Sequence, residues 1–296
     1  MRRSFGLAGF GIAATMVLVT SSSRLIRAQA PPQTPSGAPG IQMMDPRRDT
    51  GQTIAPVFEG WEPNPDGTVS MYFGYMNRNW KEELDIPIGP NNSFDPAPAD
   101  RGQPTHFLPR RGKQIFAVVE PKDFKQTITW TLTIRGNTER IPASLKPEQQ
   151  IDVSKDTQNG NTPPMVELSR SLDGTVGQPL TLKARVTDDG LPKVRTDRRV
   201  NSVTDGRPGG ATPNTPAALN VRWSKYRGPG TVKFSSQTTL VKDGVATTTA
   251  VFSEPGTYMV NVLADDGSVL QTSQGQNVPG FACCWTSTTM TVTVKK

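Results

Sequence analysis

Leu180, Leu182, Ala184 and Val186 alternate with Thr181, Lys183, Arg185 and Thr187. A period of two puts the apolar set on one face of an extended chain and the polar set on the other, so this stretch reads as a strand with one buried face. The pattern recurs. Leu219, Val221 and Trp223 alternate with Asn220, Arg222 and Ser224, and Tyr258, Val260, Val262 and Ala264 share one phase. Met290, Val292 and Val294 alternate with Thr289, Thr291 and Thr293. Shorter strands fit 166–168, 232–234 and 246–252. Seven strands within 165–296, divided by Gly-Pro-Gly, Asp-Gly and Pro-Gly turns, predict a two-sheet antiparallel sandwich.

Three strings in this region carry a family resemblance. They are Trp223-Ser224-Lys225-Tyr226-Arg227-Gly228-Pro229-Gly230-Thr231-Val232-Lys233-Phe234, then Ala250-Val251-Phe252-Ser253-Glu254-Pro255-Gly256-Thr257-Tyr258, then Ala264-Asp265-Asp266-Gly267. Together they resemble the middle of a PKD-type (polycystic-kidney-disease-like) domain. The resemblance covers about 165–296 and implies an immunoglobulin-like sandwich, used outside the cell as a spacer or interaction module. It implies no catalytic residue. Two insertions, about 191–217 and 268–284, depart from the compact family pattern. In this frame Trp223 is the core tryptophan of the third strand. Tyr258, just after a Pro-Gly turn, stands where sandwich domains anchor a tyrosine hydroxyl on nearby backbone.

Residues 54–144 are less regular and still β-like. Val69, Met71, Phe73 and Tyr75 share one strand face, Ile115, Ala117 and Val119 a second, and Ile128, Trp130, Leu132 and Ile134 a third. Six prolines between Leu84 and Pro109 exclude a central strand there, and long surface loops are expected. The reading is a second immunoglobulin- or fibronectin-like sandwich. Polar residues 145–164, ending in Pro163-Pro164, form the expected linker.

Ahead of both lies an expected export signal over 1–30. It has a basic start (Met1-Arg2-Arg3), an apolar stretch from Phe5 to Thr20, and Ala28-Gln29-Ala30 as a cleavage site. Arg2-Arg3-Ser4-Phe5 also fits the core of a twin-arginine signal. A Pro-rich flexible arm follows over 31–53. No segment after the signal approaches the ~18 apolar residues of a membrane helix. The expected location is therefore periplasmic or extracellular. The formal charge is +7, but four arginines and no acid lie in the signal, leaving 29 basic against 26 acidic residues. Arg110-Arg111-Gly112-Lys113 and Arg195-Thr196-Asp197-Arg198-Arg199 are short basic runs. Nucleic-acid binding, which needs a continuous basic stripe, is not expected.

Few residues offer chemistry. One His and two Cys leave little for a metal site or a nucleophilic dyad, and His106 reads as a loop residue. The doublets Asp188-Asp189 and Asp265-Asp266 end two strands that point the same way in this topology. Four carboxylates at one pole suit Ca²⁺, which takes six to eight oxygens; Asp-Gly is equally good turn chemistry, and the arginines of the first insertion offer another counter-charge. Cys283-Cys284 in an exported chain tend to oxidise. Adjacent Cα atoms lie ~3.8 Å apart, short of the ~4.4–6.8 Å usual for a disulfide. A vicinal bridge, packed thiols, an intermolecular bridge and metal use all stay open. Trp61, Tyr72 and Trp80 are candidates for stacking on a glycan, against ordinary packing.

The expectation is an exported, non-catalytic interaction or scaffold module of two sandwiches that meets another envelope or extracellular protein at the pole carrying both insertions. A carbohydrate- or Ca²⁺-binding module is the alternative, and a hydrolase with an unrecognised carboxylate pair a further one.

Overall fold

The computed structural model describes residues 47–151, 160–169, 171–191, 219–266 and 284–296. The expected signal, most of the arm, nearly all of both insertions, Arg195, Arg198, Arg199 and Cys283 lie outside the described residues.

The first sandwich contains β1 (Ile54–Pro63), β2 (Val69–Asn77), β3 (Leu84–Asp85), β4 (Asn92–Asp95), β5 (His106–Phe107), β6 (Arg110–Glu120), β7 (Ile128–Ile134) and β8 (Asn137–Ala143). One sheet has the order β1-β2-β6 and the other β4-β7-β8, with β3 and β5 as a separate pair. Reading the six strands of those two sheets in chain order, the first, second and fourth face the third, fifth and sixth. That is the immunoglobulin Greek key without its fourth strand.

The core of this sandwich is aromatic. Phe73 meets Phe94 edge-on at 5.3 Å and stacks on Phe116 at 5.3 Å, and Trp130 stacks on Phe94 at 6.0 Å. Trp130 Nε1 donates to Asn92 Oδ1 at 3.0 Å, and Asn92 Nδ2 donates to the Ile86 and Pro104 carbonyls at 2.9 and 2.8 Å. One fully buried asparagine thus closes its own hydrogen bonds and ties the Pro-rich segment to the core. That segment is more than loop: Phe94 and Phe107 are core residues. The proline rule still holds, because β4 is an edge strand.

One strand phase is corrected. The faces read for β2 and β7 are the buried ones. In β6 the core side carries Phe116 and Val118, while Ala117 and Val119 are exposed and Ile115 is half-buried. The register shift between β2 and β6 next to Gln114, at φ 49°, adds two residues to β6 and so keeps its phase; Phe116 and Val118 take the core side because Phe116 pairs directly with the buried Phe73.

The second sandwich contains β9 (Met165–Leu168), β10 (Ser171–Thr175), β11 (Leu180–Thr187), β12 (Asn220–Arg227), β13 (Val232–Phe234), β14 (Thr238–Leu240), β15 (Val245–Phe252), β16 (Gly256–Asp265) and β17 (Trp285–Lys295). The sheets are β13-β15-β11-β9 and β10-β17-β16-β12-β14. The first edge strand is split, β9 pairing antiparallel with β11 and β10 parallel with β17, an immunoglobulin-like arrangement. Trp223 is fully buried between the sheets. Tyr258 Oη donates to the Glu254 carbonyl at 2.9 Å, the anchor expected of that position. Gly228, at φ 128°, passes so close that a Cβ there would lie 2.5 Å from the Tyr258 ring. The structure is all-β: two immunoglobulin-like sandwiches.

The segment after β8 stays with the first sandwich. Trp61 Nε1 donates to the Lys146 carbonyl at 2.8 Å, and the Ile151 N–H donates to the Trp61 carbonyl at 2.9 Å. Both sandwiches belong to one compact unit, joined through the end of β12. Arg227 grips Asp100 with two nitrogens at 2.9 and 2.8 Å and donates to the Gln103 carbonyl. Tyr226, set off by a bulge in β12, donates its hydroxyl to the Gly102 carbonyl at 2.5 Å. Lys225 Nζ donates to Asp85 at 2.9 Å. Lys113 Nζ lies 5.9 Å over the Trp285 ring, at the other end of the same sheet. Contacts at both ends lay the first sandwich along this sheet.

Candidate functional site

The aspartate pole is built by strand ends. Thr187 closes β11 and Asp265 closes β16, and the charge of Asp266 reaches Asp188. Both doublets therefore stand at one pole. Asn161 and Thr162, leading into β9, bridge them. Asn161 Nδ2 donates to Asp266 Oδ2 at 2.9 Å, while the Thr162 N–H and hydroxyl donate to Asp189 Oδ2 at 2.8 and 2.7 Å.

The four carboxylates have different surroundings. Asp189 also accepts the Leu191 N–H at 2.9 Å, and the Thr162 hydroxyl followed by that N–H hold it below the usual carboxylate range. Asp188 accepts the Gly190 N–H on Oδ2 at 2.9 Å. Its Oδ1 is buried with no hydrogen-bond donor among the described residues. Burial first, then the charges of Asp189 and Asp266, raise its pKa. Asp265 and Asp266 are buried, and the Asp265 charge acts on Arg222 on the neighbouring strand. Among the described residues no three His, Cys, Asp or Glu side chains are arranged to hold a metal ion. The physical reason lies in the donors: Asp189 and Asp266 are turned onto Thr162, Leu191 and Asn161.

Cys284 belongs to this pole. It is buried, holds φ 96°, and is disulfide-bonded; the other cysteine of the chain, Cys283, lies outside the described residues. The Asn161 carbonyl oxygen lies 3.7 Å from Cys284 Sγ. Beside it, Thr286 donates its hydroxyl to the Pro164 carbonyl at 2.5 Å.

Trp61, Tyr72 and Trp80 do not share a surface. Trp61 packs against the core of the first sandwich. Tyr72 points to the other side of β2 and donates to Glu62 Oε1 at 2.5 Å; burial, then that bond, raise its pKa. Trp80 follows the far end of β2, and the guanidinium carbons of Arg47 and Arg110 lie 4.4 and 4.3 Å from its ring centroid.

His106 is not the solitary loop residue that its sequence context suggests. Its side chain is 8% exposed, with Nδ1 3.0 Å from Asp85 Oδ1 and Nε2 3.2 Å from Glu83 Oε2. Lys225 of the second sandwich completes the cluster through Asp85. Burial acts to lower the imidazole pKa, but the hydrogen bonds from Asp85 and Glu83 outweigh it, and the net direction is up. Glu83 is held low by its bond to His106. The β3–β5 pairing sets Asp85 opposite His106; no local pattern marks that two-residue ladder.

No protein-family profile and no curated protein matches the chain. Solved structures similar to it include the D00–D0 domains of intimin, at 12% identity and a TM-score of 0.26, covering 82% of this chain and 100% of that one. Domains 4 and 5 of the S-layer protein SbsC follow at 14% and 0.23, covering 61% and 70%. Murine CRIg is similar at 13% and 0.23, covering 45% and 98%. Likenesses of this size carry no functional argument. The fold stated above rests on strand order and register.

Proposed function

We propose that this chain is an exported, non-catalytic β-sandwich module of the cell envelope, and that it contacts a partner protein through the aspartate pole of its second sandwich. One observation carries the reading: strand ends gather both doublets at one pole, and the chain leaves for both long insertions from those doublets. The pole is braced by Asn161, Thr162 and the Cys284 disulfide, which suits a platform that presents loops. Long loops on a rigid sandwich are where binding residues concentrate. A PKD-type identity for this sandwich agrees with such a role.

The test is site-specific photo-crosslinking in the native envelope. A photoreactive residue at Gly190 or Leu191 should trap one partner, whereas the same residue at Lys183 or Lys233, away from the pole, should not. Replacing 192–218 and 267–283 with short Gly-Ser linkers should abolish the crosslink while leaving thermal unfolding cooperative. Equal crosslinking from the control sites, or a partner retained without the insertions, would reject the proposal.

A further inference from the structure

The Trp80 corner of the first sandwich is a separate matter. Its backbone is fixed: the Trp80 N–H donates to the Arg48 carbonyl at 3.0 Å, and the Lys81 and Glu82 N–H groups donate to the Asp49 carbonyl at 3.0 and 3.1 Å. Two guanidinium groups lie over one indole, Arg47 at 4.4 Å and Arg110 at 4.3 Å. Each contact is favourable as a cation–π pair. Sharing one ring, though, holds the two positive charges no more than about 8.7 Å apart, the sum of those distances, where they repel.

Nearby cations are each matched by an acid. Arg78 pairs with Glu139, Lys81 with Asp49, Arg111 with Glu59 and Arg135 with Glu82, all at 2.5–2.6 Å. Arg47, Arg48 and Arg110 have no ion-pair partner among the described residues. Arg47 and Arg110 are nevertheless held in place by the ring. Arg110 takes φ 66°, a left-handed conformation that costs a residue with a Cβ, and donates from Nη1 to the Arg78 carbonyl at 3.1 Å.

We infer that Arg47 and Arg110, stacked on Trp80, form a binding site for a phosphate or sulfate oxyanion. The planar guanidinium fork matches such oxygens two at a time. Because the Trp80 stack and the Arg78 bond already hold the side chains, little ordering entropy is left to lose on binding. A bound oxyanion also removes the repulsion between the two stacked cations. Trp80 therefore serves as a scaffold for charge. Its ring face, covered by guanidinium, is unsuited to stacking a neutral sugar.

The experiment follows the indole N–H resonance of Trp80 in the full chain labelled with ¹⁵N-tryptophan, assigned with Trp80→Phe. The titrants are inorganic phosphate, heparin as a sulfated polysaccharide, and vesicles of phosphatidylglycerol in phosphatidylcholine. A saturable shift of the Trp80 signal should appear with at least one titrant and weaken roughly ten- to a hundredfold in Arg47→Gln/Arg110→Gln, the loss expected for charge-assisted bonds. Lys233→Glu, on the other sandwich, should leave it unchanged. Which titrants act tells free ion, polysaccharide and lipid headgroup apart. No shift with any of the three, or an equal shift in the double variant with its other indole signals native, overturns the site.

Discussion

Both ring nitrogens of His106 face carboxylates, Nδ1 toward Asp85 at 3.0 Å and Nε2 toward Glu83 at 3.2 Å. A neutral imidazole has one N–H, so it would set a lone pair against one of these acids; only the imidazolium satisfies both. With His106 charged, the cluster of Glu83, Asp85, His106 and Lys225 is neutral, and it sits where the two sandwiches meet. The perturbation is His106→Gln, whose donors share one uncharged nitrogen and so cannot replace an N–H at both ring positions. Charge-assisted hydrogen bonds contribute about 1.5–3 kcal/mol each. The Glu83 and Asp85 side chains are 48% and 54% exposed, so water replaces part of the loss and the net cost is roughly 1–2 kcal/mol. For a unit of this size that lowers the melting temperature by roughly 2–8 °C. The pH dependence follows from linkage. The folded pKa lies above the unfolded one, so the stabilisation is complete below the ordinary histidine pKa of ~6.5 and is lost as pH rises through the folded value. Calorimetric melting of both proteins, kept above the carboxylate titration range so that Glu83 and Asp85 are ionised in each, isolates the effect, because the chain has a single histidine. A wild-type advantage that stays constant with pH, or grows toward alkaline pH, would refute the imidazolium assignment.

Other outcomes can be checked on the same protein. Tyr258→Phe removes the hydroxyl bond to Glu254 and should cost about 1 kcal/mol in urea unfolding with an unchanged m-value. Gly228→Ala, forced into a positive φ against the Tyr258 ring, should cost more than Tyr258→Phe in the same assay. In a double-mutant cycle, Arg227→Ala and Asp100→Ala should couple by about 1 kcal/mol, since Asp100 is half-exposed and the pair is bidentate. Calorimetric titration with Ca²⁺ should give no saturable heat, because Asp189 and Asp266 already accept bonds from Thr162, Leu191 and Asn161; a saturable isotherm abolished by Asp188→Asn would show that the doublets open to bind metal.

How much of this could be read from residues alone depended on the range of the interaction. Strands β2, β7, β11, β16 and β17 are long and keep one phase, so their buried faces were legible. β10 (Ser171–Thr175) and β14 (Thr238–Leu240) were not, because five and three residues with Gly, Asp and Thr carry no period. β6 misled for a different reason: Val118 and Val119 are adjacent and alike, and the pairing of Val118 with the buried Met71 decides between them through the partner strand. The aspartate pole lay within reach because each doublet is local and the topology supplies the rest. Asn161 and Thr162 escaped notice because their partners lie 105 and 27 residues away.

The sandwich junction marks the limit of such reading. Lys225 and Asp85 are separated by 140 positions, and nothing local to either names the other. Lys225 falls on β12, where the Val221–Trp223 alternation points to more core, yet the side chain that comes next on that face is a lysine. Its Nζ reaches out of the strand to Asp85 and to the Gly230 carbonyl at 2.6 Å. A charged residue at an apolar phase, 6% exposed in its side chain, is affordable only with fixed partners. A lysine that breaks an otherwise apolar strand face is therefore the trace that the junction leaves in the sequence. Where such a residue ends a strand in a tandem sandwich, the neighbouring domain is the first place to look for its acid.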